Sequence, residues 1–215
     1  MKLPDDRKLS EAGALPEATG DARVMLIACG AIAREVLALI EANGWTHLAL
    51  ACLPAKLHLH PGRIVAAVEE AVLRHRAAYD GIFVLYADCG TGGLLGAKCR
   101  ALGVEMLEGP HCYSFFEGNR AFAARGDADM TAFYLTDFLV RQFDAFVWKP
   151  MGLDRHPELR DTYFSNYTKL VYQAQTEDAA LRKQAREHAA RLGLAFEYRF
   201  TGYGDLAASL RDISL

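Results

Sequence analysis

The sequence predicts an α/β protein: a mainly parallel sheet with helices on both faces, built from repeated βαβ units. Three observations predict it. Short apolar runs alternate with segments of helical periodicity. Residues 24–53 and 82–107 follow one plan: strand, Cys-Gly, helix, Gly, strand, then a proline-bearing loop with histidine. Residues 170–200 form a further βαβ unit at the C-terminal end.

The elements read in order as follows. Residues 1–22 are polar, with Pro4, Asp5, Asp6, Pro16, Glu17 and Gly20, and read as a flexible lead-in to a single domain over 23–215. Val24–Ala28 is a strand. Ala31–Glu41 is a helix with Ile32, Val36, Leu39 and Ile40 on one face, ended by Asn43-Gly44. Leu48–Leu53 is a strand stopped by Pro54. An irregular stretch carries His58 and His60, and a helix runs from Arg63 to about Ala78. Ile82–Ala87 is a strand, Cys89-Gly90-Thr91-Gly92-Gly93 a turn, Leu94–Leu102 a helix stopped by Gly103, and Val104–Leu107 a strand. Ser114–Ala124 and Thr131–Phe143 read as helices. Leu170–Ala174, Glu177–Leu192 and Ala195–Phe200 complete the last unit. Tyr203-Gly204-Asp205 reads as a turn.

Composition excludes several function classes. Apolar residues make up 52% and charged residues 24%, with net charge −3. No basic surplus points to nucleic acid. No run approaches the ~20 apolar residues of a membrane span, and the lead-in has no apolar core of a signal peptide. A cytoplasmic protein is expected. Five cysteines, an odd number, in a reducing compartment favour ligand or catalytic thiols over disulfides.

Three of those cysteines fall where a parallel sheet builds its site. Cys29 ends the first strand, Cys89 follows the third, and Cys112 follows the short fourth. Ligands bind beyond the carboxyl ends of such strands. Cys29-Gly30 and Cys89-Gly90 precede helices, whose N-termini stabilise a thiolate, and glycine permits close approach of a cofactor. Cys52 and Cys99 lie inside a strand and a helix and read as core.

If Cys29, Cys89 and Cys112 converge, they can hold a metal. With His58 or His111 they suit tetrahedral zinc. Alone they suit a [4Fe-4S] cluster with one open iron. The cluster ranks first because it requires no histidine. A metal-free alternative is a thiol nucleophile with His58 or His111 as base. His58, Asp88 and His111 are thus the candidate catalytic side chains. Gly30, Gly90, Thr91, Gly92 and Gly93 are candidates for cofactor contact, the loop offering backbone N–H groups to an anion. The loop is neither a Walker loop nor a dinucleotide fingerprint. Asp88 either orients a ligand or caps the following helix. Asp154, His156 and Arg63 are solvent-side candidates of lower rank.

At Ile27-Ala28-Cys29-Gly30, Leu53-Pro54-Ala55-Lys56-Leu57-His58, Asp88-Cys89-Gly90-Thr91-Gly92-Gly93, Gly109-Pro110-His111-Cys112-Tyr113 and Phe133-Tyr134-Leu135-Thr136-Asp137, the chain resembles a bacterial and archaeal domain family of unknown function. Its members often accompany corrinoid-dependent methylamine methyltransferase systems. The resemblance covers residues 24–205 and implies that Cys29, His58, Cys89 and Cys112 form a shared core. It implies a place in one-carbon metabolism, with a small-molecule substrate and a corrinoid protein or methyltransferase as partners. More distant relatives have Cys-x-Asn-Gly at the glycine loop. No Asp-x-His-x-x-Gly pattern is present, which disfavours direct corrinoid ligation. A non-catalytic module holding a metal, a corrinoid or a methyltransferase is the alternative to an enzyme of methyltransferase or lyase type.

Overall fold

The computed structural model describes residues 5–14 and 22–213. They divide into two compact units, one of residues 1–115 with 205–215 and one of residues 116–204. The pattern reads as one domain over 23–215, yet the strands sort into two sheets, one in each unit. Alternation of strands and helices does not say which strands share a ladder. Among the described residues every pairing between strands is parallel. With helices flanking both sheets, the fold is α/β.

The first unit opens with α1 (Asp6–Glu11), capped by the Asp5 carboxylate, which accepts from the Arg7 N–H at 2.9 Å. Over residues 5–14, part of the expected loose lead-in, the chain instead forms this helix and a bridge. Leu9 is completely buried, a burial worth about 2 kcal/mol. Ala14 bridges Cys52 through backbone hydrogen bonds of 2.9 and 2.7 Å. Residues 1–4 and 15–21 of that lead-in lie outside the described residues.

β1 (Val24–Cys29), α2 (Ala33–Asn43), β2 (Leu48–Leu53), α3 (Ile64–His75), β3 (Gly81–Leu85), α4 (Leu94–Leu102), β4 (Glu105–Met106) and α5 (Cys112–Glu117) follow. A 3₁₀ turn over Gly30–Ile32 precedes α2. β3 stops at Leu85, short of the expected Ala87. Met25 to Cys29 are all buried, because a parallel strand covered on both faces has no wet side. The sheet order is β2-β1-β3-β4. The chain leaves β1 for β2 on one side and later sets β3 on the other. The winding therefore reverses between β1 and β3, and ligand crevices of open α/β sheets lie outside the carboxyl ends at such a reversal.

The second unit contains α6 (Asn119–Ala124), β5 (Ala132–Leu135), α7 (Asp137–Arg141), α8 (Leu159–Phe164), β6 (Lys169–Ala174), α9 (Ala179–Leu192) and β7 (Ala195–Phe200). The single helix expected over Thr131–Phe143 is instead a strand and a short helix. Thr136 separates them: its hydroxyl accepts from the Leu139 N–H at 3.4 Å and starts α7. Leu135, Leu170, Tyr172 and Ala174 form a core with Ala185, Ala189 and Leu192 of α9. Side chains alternate along β6 and β7, so Lys169, Gln173, Glu197 and Arg199 take the other face. There Asp129 accepts from Lys169 (2.6 Å), the Tyr134 hydroxyl (3.0 Å) and Arg199 (3.1 Å). α10 (Gly204–Ile213) is helical from Gly204, so the expected turn lies at Gly202 and Tyr203 instead.

Candidate functional site

The site is built at the β1/β3 reversal. Ala28 pairs with Leu85, so Cys29 and Tyr86 are the next residues along each strand. Cys29 is buried and caps the 3₁₀ turn, its sulfur accepting from the Ala31 N–H at 3.3 Å. The chain beyond β3 is tied to the chain beyond β4. The Asp88 N–H donates to the Gly109 carbonyl (3.0 Å), and the Cys89 N–H to that of Pro110 (2.9 Å). These two bonds carry Cys89 alongside the Gly109–Cys112 loop. Cys89 has φ +50°, the one non-glycine residue with positive φ among the described residues, which marks a locally strained turn. His58 arrives from a 3₁₀ segment over Ala55–Leu59, and its Nδ1 lies 3.5 Å from the Cys29 sulfur. The His58 ring stacks on Tyr86, with centroids 5.8 Å apart and planes 6° from parallel.

Electrostatics tie the same groups together. Burial pushes the Cys29 thiol up to about 12, against the lowering effect of the Ala31 N–H and the Tyr86 hydroxyl. Burial also raises Cys112 well above an ordinary thiol, and charge on Cys89 or Cys29 would raise it further. Burial raises Tyr86 too, with Cys29, Cys89 and Cys52 adding to it. These cysteines are therefore within electrostatic reach of one buried phenol. Burial lowers His111, whose ring leans on Tyr113 at 5.4 Å. Burial thus favours the neutral thiol at Cys29 and Cys112. As the side chains stand, no group of three or more His, Cys, Asp or Glu among the described residues could hold a metal ion. The donor types, three thiols and an imidazole, are those of zinc and iron–sulfur sites.

The glycine loop departs from expectation. Asp88 fills the anion position itself: its carboxylate accepts from the N–H groups of Gly93 (2.6 Å) and Gly92 (3.1 Å) and from the Thr91 hydroxyl (2.8 Å). Burial opposes its ionisation, but these bonds outweigh it and hold the carboxyl below the usual range. Gly92 and Gly93 have φ of +63° and +84° with open space around them, so the turn is what requires glycine there. Thr91 also accepts from the Leu95 N–H at 3.3 Å and so leads into α4. Cys89 consequently stands before this turn and not at the N-terminus of α4. A Cβ on Gly30 would lie 2.4 Å from the Leu9 carbonyl. The passage of α1 explains Gly30, where cofactor approach was expected. Gly90 faces Pro61 (3.6 Å from a built Cβ to Cγ), on the wall of a groove of about 590 Å³ that Gly62, Val65, Thr91 and Leu94 also line.

The family model described as "Protein of unknown function (DUF1638)" matches residues 52–210. The chain belongs to the DUF1638 family. The matched span holds His58, Cys89, His111 and Cys112 and begins after Cys29. No curated protein matches this DUF1638 chain. Among solved structures, ornithine carbamoyltransferase from Pyrococcus furiosus matches with 12% identity and a TM-score of 0.28, over 84% of this chain and 55% of that one. No helix among the described residues is long and apolar enough to cross a membrane.

Cys52 lies within electrostatic reach of Cys29 and Tyr86. Cys99 is buried inside α4 and Cys52 inside β2. His156 pairs with Glu158 at 3.2 Å on the surface of the second unit. Two residues went unmarked in the sequence. Tyr86 follows an apolar strand and looks like core. Asp137 lies within a quoted family block but carries no motif of its own. It is 1% exposed and accepts from the hydroxyls of Tyr172 (2.7 Å) and Thr176 (2.6 Å) and from the N–H groups of Gln175 (3.0 Å) and Thr176 (3.1 Å).

Proposed function

We propose that Cys29, Cys89 and Cys112 hold a metal centre with His58 beside it, and that the protein acts in one-carbon or methyl-group metabolism. The observation that carries the metal reading is placement. Thiols from three separate segments sit around the winding reversal of a parallel sheet, with an imidazole 3.5 Å from one of them. A [4Fe-4S] cluster ranks ahead of zinc because it takes three thiolates and keeps one iron open to substrate. Binding would draw in the Cys89 and Cys112 side chains, and the Asp88 and Cys89 N–H groups already fasten the chain at Cys89 to the Gly109 and Pro110 carbonyls that precede Cys112. The open position would supply Lewis-acid or redox chemistry, or in the zinc version an activated water or thiol. The methyl-group link, with a corrinoid protein or methyltransferase as partner, rests on the sequence resemblance alone.

The Cys29–His58 contact favours a second reading, a thiol nucleophile with an imidazole base. The burial of Cys29 weighs against it, because the sulfur has little access to substrate.

Purification without oxygen, an absorption spectrum and assays for iron, sulfide and zinc test the proposal. Iron with sulfide and a broad band near ~400 nm supports the cluster, and one zinc per colourless chain supports the zinc form. A metal-free chain inactivated by alkylation of one cysteine would support the nucleophile instead. Metal without turnover of methylated amines would mark a binding module.

A further inference from the structure

β7 is an edge strand of the second sheet. The Ala195 and Thr201 N–H groups donate to the carbonyls of Thr168 (3.2 Å) and Ala174 (2.9 Å), so the backbone groups of its odd-numbered residues face β6. Backbone direction alternates along a strand. The N–H and C=O groups of Phe196, Tyr198 and Phe200 therefore point away from β6, and among the described residues no backbone group pairs with them. β2, the long edge of the first sheet, differs. Five of its six residues are buried, and Ala14 bridges it at Cys52. None of the six residues of β7 is buried, and Phe200 is 53% exposed. No proline or lysine stands in β7, and no bulge interrupts its register with β6. An open, regular edge of this kind invites another strand.

The residues of β7 specify which strand. Phe196-Glu197-Tyr198-Arg199-Phe200 reads the same in both directions except that Glu and Arg exchange. Consider antiparallel pairing across a two-fold axis at Tyr198. Tyr198 meets Tyr198 of the other copy, Phe196 lies opposite its Phe200, and Glu197 opposite its Arg199. Opposite charges face each other on both flanks. The outward N–H and C=O groups also fall opposite one another, so every open group of the edge gains a ladder partner. Sliding one strand by two residues would set Glu197 against Glu197, or Arg199 against Arg199, so the charges fix the register. Within the chain Glu197 and Arg199 pair with each other and with Lys169 and Asp129, and the cross-strand pairs extend that network.

We propose that β7 is a dimerisation edge: two copies of this chain pair their β7 strands antiparallel about Tyr198 and join their second sheets into one. The inference is independent of the metal-centre reading.

Sedimentation of the full chain over a range of concentrations tests it. A reversible dimer of twice the chain mass is expected. Tyr198→Pro deletes an N–H that faces outward, so it spares the ladder to β6 and should weaken the dimer about 10-fold or more. Phe200→Lys, at the exposed end of the strand, should weaken it too. On mild oxidation Tyr198→Cys should yield a disulfide joining two copies at position 198, mapped by digestion without reductant, because directly opposed Cα atoms lie about 5.5 Å apart. Phe200→Cys should not link to its own counterpart, which lies roughly 13 Å along the strand. If Tyr198→Pro fails to fold, Phe200→Lys and the cross-links decide. A wild-type chain that stays monomeric up to roughly 1 mM would overturn the proposal. So would a dimer that no folded variant weakens, or one that Tyr198→Cys does not cross-link.

Discussion

The two sheets end differently at the same topological place. Beyond β1 and β3 stand the buried Cys29 thiol and a tyrosine whose hydroxyl finds no oxygen or nitrogen partner among the described residues and has only that weakly accepting thiol beside it. Beyond β5 and β6 stands Asp137, whose carboxylate collects four donors, the Tyr172 hydroxyl among them. Both tyrosines are buried at the carboxyl end of a central strand, yet one is satisfied and the other is not. The sheet order accounts for the contrast. The first sheet reverses its winding between β1 and β3, whereas the second runs β5-β6-β7 in a single direction. A reversal leaves a crevice to be filled by a ligand. Without one, the strand ends can be closed by the chain's own side chains.

The comparison can be broken or sharpened by substitution. The largest effect is expected at Asp137. Asp137→Ala leaves several buried donors without an acceptor and should cost about 4 kcal/mol in urea unfolding. A loss below about 1 kcal/mol would mean that the polar cluster is not structural. Next comes acid stability of the second unit. Burial works against ionisation of Asp129, but Lys169, Tyr134 and Arg199 prevail and draw its carboxyl down to about 2. Its folded value lies below its unfolded one, so its contribution, on the order of 2 kcal/mol, is fully present above pH ~4. It is lost as pH falls toward 2. Asp129→Asn should flatten that part of the acid-unfolding curve, and an unchanged curve would contradict the reading. The smallest effect separates the tyrosines in the metal-free protein. Tyr172→Phe should cost about 1–2 kcal/mol and Tyr86→Phe about nothing. Equal costs would erase the difference between the two strand ends.

Much of this was legible in the residues. α4 and α9 end where Gly103 and Gly193 stand, because a left-handed glycine there closes the last turn of a helix. The cysteines could be placed at strand ends because apolar runs stop there. The strand Ala132–Leu135 was hidden because its apolar residues continue into α7 without a break, and only the Thr136 cap divides them. The role of Asp88 was open between ligand and cap. Its bonds to Gly92 and Gly93 follow from the path of the turn, which the glycines permit but do not dictate. Strand order, and with it the winding reversal, depends on long-range pairing. The setting of the Tyr86 hydroxyl among thiols is a property of its surroundings and has no local signature at all.

X-ray absorption of the metal-loaded chain tests the convergence of the thiols most directly. In the zinc-loaded chain three sulfur neighbours per metal are predicted, near ~2.3 Å, with one fewer in each of Cys29→Ser, Cys89→Ser and Cys112→Ser. A shell of nitrogen and oxygen only, or a sulfur shell that none of the three substitutions alters, would contradict it.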